Sequence, residues 1–147
     1  MSNENLNFKI TLSGTYWEKR PEFSILLDDV EQASGIVEVD SGTIFDINFS
    51  CDVEEDADHI LSIKLLNKED SDTVENADKT VIEKDMLLNI EGVEIDGISL
   101  GALCWSLSEY NVPVLPEPVH NCVNLGWNGS WNIKFSSPFY IWLLENM

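Results

Sequence analysis

The sequence predicts an all-β chain folded as a two-sheet antiparallel β-sandwich. Three observations point there. Apolar and polar residues alternate along most of the chain. Turn signals separate these runs at intervals of roughly 10 to 15 residues. Helical spacing is almost absent. About eight strands are expected, the number that suits a jelly roll. No flexible linker, internal repeat or low-complexity tract breaks the pattern, so residues 1–147 are read as a single β-sandwich domain.

Phe8, Ile10, Leu12 and Tyr16 share one face of the first strand, with Lys9, Thr11, Ser13 and Thr15 opposite. Lys19-Arg20-Pro21-Glu22 breaks it, and Phe23, Ile25 and Leu27 make the next inward row, ending at Asp28-Asp29. A short strand is expected at Ile36 to Val39, then a turn at Asp40-Ser41-Gly42. Phe45, Ile47, Phe49, Cys51 and Val53 form a long inward row. The charged loop Glu54–Asp58 and the strand Ile60 to Leu66 then read as the second half of a long hairpin. Asn67 to Lys79 is a polar surface loop. Val81 to Ile95 is strand-like but its parity shifts at Glu91-Gly92, which predicts a bulge or tight turn. Asp96-Gly97 is a turn. Leu100, Leu103 and Leu107 allow one or two helical turns, and the prolines of Asn111 to Asn121 predict extended irregular chain. The last strand, or pair of strands, carries Trp131, Ile133, Phe135, Phe139, Ile141 and Leu143 on one face. The other face is polar at first and turns apolar past Pro138, with Tyr140, Trp142 and Leu144.

Apolar residues make up 44% of the chain, a globular composition. Eight Lys+Arg oppose 27 Asp+Glu, a formal charge of −19. Such a field repels phosphate backbones and argues against direct nucleic-acid binding; it suits high-salt solubility, cation binding or a basic protein partner. Cys51, Cys104 and Cys122 have no metal-ligand spacing, and their odd number favours a reducing compartment. No signal peptide and no membrane-spanning run is read.

Candidate chemistry lies in three places. Asp70, Asp72 and Asp78, in the longest polar loop, could supply calcium with carboxylate oxygens, although the EF-hand pattern is absent. Trp17, Trp105, Tyr110, Trp127 and Trp131 lie near loops, where aromatic faces stack on sugar C–H faces while Asn and Asp side chains bind hydroxyls; the alternative is that they close the ends of the sandwich. Tyr140, Trp142 and Leu144 would form an exposed apolar row on an edge strand, either a contact with another chain or a face covered within the same one. His59 and His120 lack partner motifs, and no nucleophile elbow, zinc-protease helix or phosphate-binding loop is present, so the chain is read as non-enzymatic.

Ile44 to Lys68 and Glu83 to Gly97, with their alternating strands, acidic tip and Asp96-Gly97 turn, resemble the jelly-roll carbohydrate-binding modules, including the calcium-dependent xylan-binding type. The modules' calcium ligands do not map clearly onto this chain. The ending Ser137-Pro138-Phe139-Tyr140-Ile141-Trp142-Leu143-Leu144-Glu145-Asn146 resembles small uncharacterised proteins of large tailed, notably marine, phages. These resemblances imply a virion-associated protein, a capsid decoration or tail component. It would assemble through its C-terminal strand with itself or other virion proteins and contact carbohydrate at its loops. Two other readings stay open. One is a soluble carbohydrate-binding module, with calcium or without a cofactor. The other is an acidic effector in the host cytoplasm that blocks a basic host protein. A small glycosidase is a more distant alternative.

Overall fold

The structure, a computed structural model, describes residues 2–147. The strands of the first half are β1 (Asn3–Thr15), β2 (Glu22–Leu27), β3 (Val30–Ile36), β4 (Ile44–Glu54) and β5 (Asp58–Leu65). A 3-10 turn at Asp70–Asp72 leads to the small hairpin of β6 (Val74–Glu75) and β7 (Ile82–Lys84). Then come β8 (Leu87–Ile95), β9 (Ile98–Ser99), the short α1 (Leu103–Ser106), β10 (Glu109–Asn111), β11 (Val119–His120), β12 (Asn124–Leu125), β13 (Gly129–Ser136) and α2 (Phe139–Asn146). One sheet has the order β12-β8-β1-β4, with β9 also on β8. The other runs β11-β10-β13-β5-β2-β3. Every pairing is antiparallel.

The two inner faces extend the alternating rows read from the sequence, adding Leu6 to the first row and Leu61 and Ile63 from the fifth strand, to which no face is assigned there. On one sheet Phe8, Ile10 and Leu12 of β1 lie opposite Ile95, Val93 and Ile90 of β8, and Leu6 and Leu88 extend the buried row at its two ends. Phe23 and Ile25 of β2, Leu61 and Ile63 of β5, and Trp131, Ile133 and Phe135 of β13 face them from the other. Each such side chain contributes about 1.5–3 kcal/mol when fully buried. Aromatic pairs knit the layers, with Phe8 6.2 Å from Phe135 and Phe23 5.9 Å from Phe45. The parity shift in β8 is a bulge. Ile90 opposes Leu12 and Gly92 opposes Thr11, so Glu91 has no partner in the ladder, and its carboxylate instead accepts the Ser13 hydroxyl at 2.6 Å.

Three expectations are corrected. The strand expected at Ile36 to Val39 is Val30–Ile36, which returns on β2 through Asp28-Asp29, both in the left-handed region. It lies at the sheet edge with Val30 and Glu31 exposed, so its alternation is weak. Secondly, β4 and β5 are not a hairpin. The first pairs with β1, the second with β13 and β2, and the Glu54–Asp58 segment carries the chain from one sheet to the other. Alternation reports which side chains face inward, not which strand lies alongside. Thirdly, the chain past Pro138 is helix, not strand. A proline has no N–H to continue the ladder, and the Glu4 carboxylate accepts the Phe139 N–H at 3.0 Å and the Ser137 hydroxyl at 2.6 Å, capping the first turn. Phe139, Trp142 and Leu143 point inward at helical spacing, while Tyr140, Ile141 and Leu144 face out. The row Tyr140-Trp142-Leu144 therefore does not exist as one surface: Trp142 is only 8% exposed and packs on Phe135 and Phe139 of its own chain. Among the described residues no helix is long and apolar enough to cross a membrane.

Candidate functional site

At one end of the sandwich the turn before β13, the 3-10 turn and the β6–β7 hairpin enclose an open groove of about 630 Å³. Trp127 lines it and is 46% exposed. The backbone beneath that ring is held from several sides. The Tyr110 hydroxyl donates to the Trp127 carbonyl and accepts the Trp127 N–H at 3.0 Å. Burial pushes the Tyr110 phenol up to about 12, so it remains a neutral donor well above pH 7. Asn128 accepts the Lys68 N–H at 2.7 Å and donates to the Lys68 carbonyl at 2.9 Å, which ties the turn to the loop that follows β5. Gly129 completes the fixture, because a β-carbon there would run into the Asn111 carbonyl oxygen. A half-exposed indole on a fixed backbone offers a platform for the C–H face of a sugar ring. Asp70, Glu75 and Lys79 line the same groove, are exposed, and make no side-chain hydrogen bond or ion pair among the described residues, so they remain available to hydroxyls.

The other sequence candidates divide. Tyr110 and Trp131 are fully buried and are not sugar platforms. Trp131 shares the inward parity of Ile133 and Phe135, and its indole N–H donates to the Cys122 carbonyl at 3.0 Å. Tyr110 positions Trp127 instead, and the polar-apolar-polar run Glu109-Tyr110-Asn111 was the signal for its burial. Trp17 is partly exposed but engaged. Its N–H donates to the Asp72 carbonyl at 2.9 Å, and the Lys84 ammonium lies 5.0 Å from its ring centre. Trp105 is exposed on α1 and does not line the groove.

The acidic trio does not form a calcium site. Asp72 is buried, accepts the Glu69 N–H at 2.8 Å and pairs with the Lys19 ammonium at 2.8 Å. Burial pushes its carboxyl up, but the hydrogen bonds from Lys19 and the Glu69 backbone, with the Lys19 charge, outweigh this and hold it below the usual carboxylate value. Asp70 faces the groove, while Asp78 stands exposed between β6 and β7. Among the described residues no three His, Cys, Asp or Glu side chains are grouped to hold a metal. Calcium wants six to eight oxygens, and the acid best placed to begin such a shell is already committed to a lysine.

His59 is buried and bonded at both ring nitrogens, Nδ1 to the Asp28 carboxylate at 2.6 Å and Nε2 to the Glu54 carbonyl at 2.7 Å. Two acceptors require two N–H donors, so this geometry selects the imidazolium. Burial pulls its pKa down, yet these hydrogen bonds and the neighbouring charges raise it overall. It ties the β2–β3 turn to the β4–β5 crossing, a structural task.

No family model and no curated protein matches the chain. Two solved structures do. The first is vCBM60 in complex with galactobiose, with a TM-score of 0.56, 8% identity, and coverage of 86% of this chain and 96% of that one. The second is a selenomethionine form of vCBM60, described as showing that circular permutation links two families of calcium-dependent carbohydrate-binding modules. Its TM-score is 0.55 at 10% identity, covering 90% of each chain. The likeness is one of fold. It agrees with the antiparallel β-sandwich seen here and with the module resemblance noted in the sequence.

Proposed function

We propose that residues 1–147 form one non-catalytic domain that binds carbohydrate in the groove beside Trp127. The observation that carries this reading is the half-exposed indole whose backbone is pinned by the buried Tyr110 hydroxyl, with unengaged carboxylates and a lysine around it. The fold shared with vCBM60, one of whose structures holds galactobiose, supports it. The test is a glycan array that includes galactobiose and xylan fragments, run on the wild type, Trp127→Ala and Trp105→Ala. Binding that is lost in Trp127→Ala and kept in Trp105→Ala supports the groove; absence of binding to every glycan refutes it. No step is assigned to calcium, because the acidic loop does not fit one.

A second reading is a virion-associated protein that assembles through its C-terminus. It draws on the outward face of α2, where Tyr140, Ile141 and Leu144 are exposed side by side. A self-associated particle in light scattering that becomes monomeric in Leu144→Ser supports self-assembly; a wild-type monomer removes that form of it.

A further inference from the structure

The outer face of the second sheet carries a second groove, of about 700 Å³, across β5, β13 and β10. It follows from the strand register. Ser62 opposes Asn132 and Lys64 opposes Ser130 on one side of β13, while Glu109 opposes Asn132 on the other. These side chains alternate with the buried Leu61, Ile63, Trp131 and Ile133, so their outward direction is as firmly set as the core itself.

Three features distinguish this surface from an ordinary solvated face. The first is its charge. The whole chain carries 27 acids to eight basic residues, yet the groove is lined by two lysines, Lys64 and Lys134, against two acids, Asp29 and Glu109. The second is that Lys64 is only partly exposed and has no ion-pair partner among the described residues, although acids outnumber bases more than threefold in this chain. The third is the floor. Asn132 Oδ1 accepts the Ser62 hydroxyl at 2.6 Å and the Ser130 hydroxyl at 2.7 Å, and its Nδ2 donates to the Ser130 carbonyl at 3.2 Å. That network fixes the amide, spends both serine protons, and leaves lone pairs on the serine oxygens and one amide N–H unused. Ser62 is itself only 4% exposed.

A fixed floor of hydroxyl oxygens and an amide N–H suits the mixed donors and acceptors of a sugar ring. An unpaired ammonium at its side suits a carboxylate. We infer that this groove binds an oligosaccharide bearing an isolated uronate, with Lys64 taking the carboxylate and Ser62, Ser130 and Asn132 the ring hydroxyls. The net charge of −19 favours the isolated acid, since each further carboxylate of a dense polyanion adds long-range repulsion, whereas one carboxylate held against Lys64 has that repulsion offset at short range. The inference rests on the carbohydrate-binding reading but places a different sugar at a different face from Trp127.

The experiment is a 15N-HSQC titration of the full chain with a glucuronate-bearing disaccharide and, separately, with the same disaccharide carboxyl-reduced to its neutral form. The expected result is shifts at the Ser62, Lys64 and Asn132 amides with the acidic sugar. Affinity should be about tenfold weaker for the neutral one and about tenfold weaker for Lys64→Met, as loss of one charged hydrogen bond implies. Trp127→Ala should leave these shifts unchanged. The inference is overturned if the two disaccharides bind alike, if the shifts fall at Trp127 instead, or if the acidic sugar produces none. Should neutral glycans still bind beside Trp127 in that last case, only the second groove fails; if no sugar binds anywhere, the carbohydrate reading fails with it. The reduced sugar keeps the test decisive even if Lys64→Met does not fold.

Discussion

Replacing Trp142 with alanine removes an indole whose ring centre lies 6.2 Å from that of Phe135 and 6.0 Å from that of Phe139. Truncating a buried tryptophan costs about 3–5 kcal/mol, of which each aromatic pair accounts for about 0.5–1.5 kcal/mol. Trp142 is 8% exposed and sits on a terminal helix that can settle into the space, which places it near the low end, about 3 kcal/mol. Leu144 is one strand repeat away in sequence but on the outer side of the helix, 74% exposed, and its alanine variant should change stability by no more than about 0.5 kcal/mol. Urea unfolding followed by circular dichroism measures both, with equal slopes required for the comparison. A strand with Tyr140, Trp142 and Leu144 on one face would make the two substitutions equivalent. If Leu144→Ala costs as much as Trp142→Ala, or if Trp142→Ala costs less than about 1 kcal/mol, the docked helix is wrong.

Other outcomes follow from single residues. The folded-state pKa of His59 is raised above its ordinary 6.5, so its stabilisation is complete below pH 6.5 and is lost as pH climbs through the raised value. The melting temperature should therefore fall on the alkaline side of 6.5, and His59→Phe should flatten that slope; an unchanged slope contradicts the imidazolium. Gly129→Ala should cost about 1–3 kcal/mol through the forced displacement from Asn111, measured by the same urea titration; a neutral effect would mean the strands are not that close. Tyr110→Phe leaves the Trp127 N–H without its partner and should cost about 1–3 kcal/mol while weakening glycan binding; unchanged binding would show that the ring needs no such support. A chelator should leave the melting temperature unmoved, since Asp72 is held by Lys19, and a clear drop would restore a cation site.

The inward rows of β1, β2, β4, β8 and β13 were legible because each turns one face to the core, and a period of two is then visible residue by residue; β5 was legible as a strand but not as a row, since Leu61, Ser62 and Ile63 are buried in succession. The bulge at Glu91 was legible for the same reason, as a break in parity. Partnership was not. The Phe45–Val53 and Ile60–Leu66 runs look like two arms of one hairpin, and only the need to close two layers sends them to different sheets. The C-terminal helix was hidden by a six-residue apolar run, Phe139 to Leu144, in which both periods fit. The helical triplet Phe139, Trp142, Leu143 was present in it, and the proline before it ended the strand. At the site, Trp127 was readable as an aromatic beside a polar turn. Tyr110 and Trp131 were misplaced because nearness to a loop in sequence says nothing about direction. The outer groove was invisible, since its polar side chains lie on three strands brought side by side only by the fold.

The proposed binding of a sugar ring on Trp127 places the sugar against the indole. Its most direct test is the indole N–H signal of Trp127 in a 15N-HSQC spectrum, assigned by its disappearance in a Trp127→Phe variant and followed as the best glycan of the array is added. A sugar stacked on Trp127 shifts this signal with saturable dependence on glycan while the buried Trp131 indole signal stays in place. A glycan that binds and moves neither the Trp127 indole nor the backbone amides of Gly126 and Asn128 would contradict it.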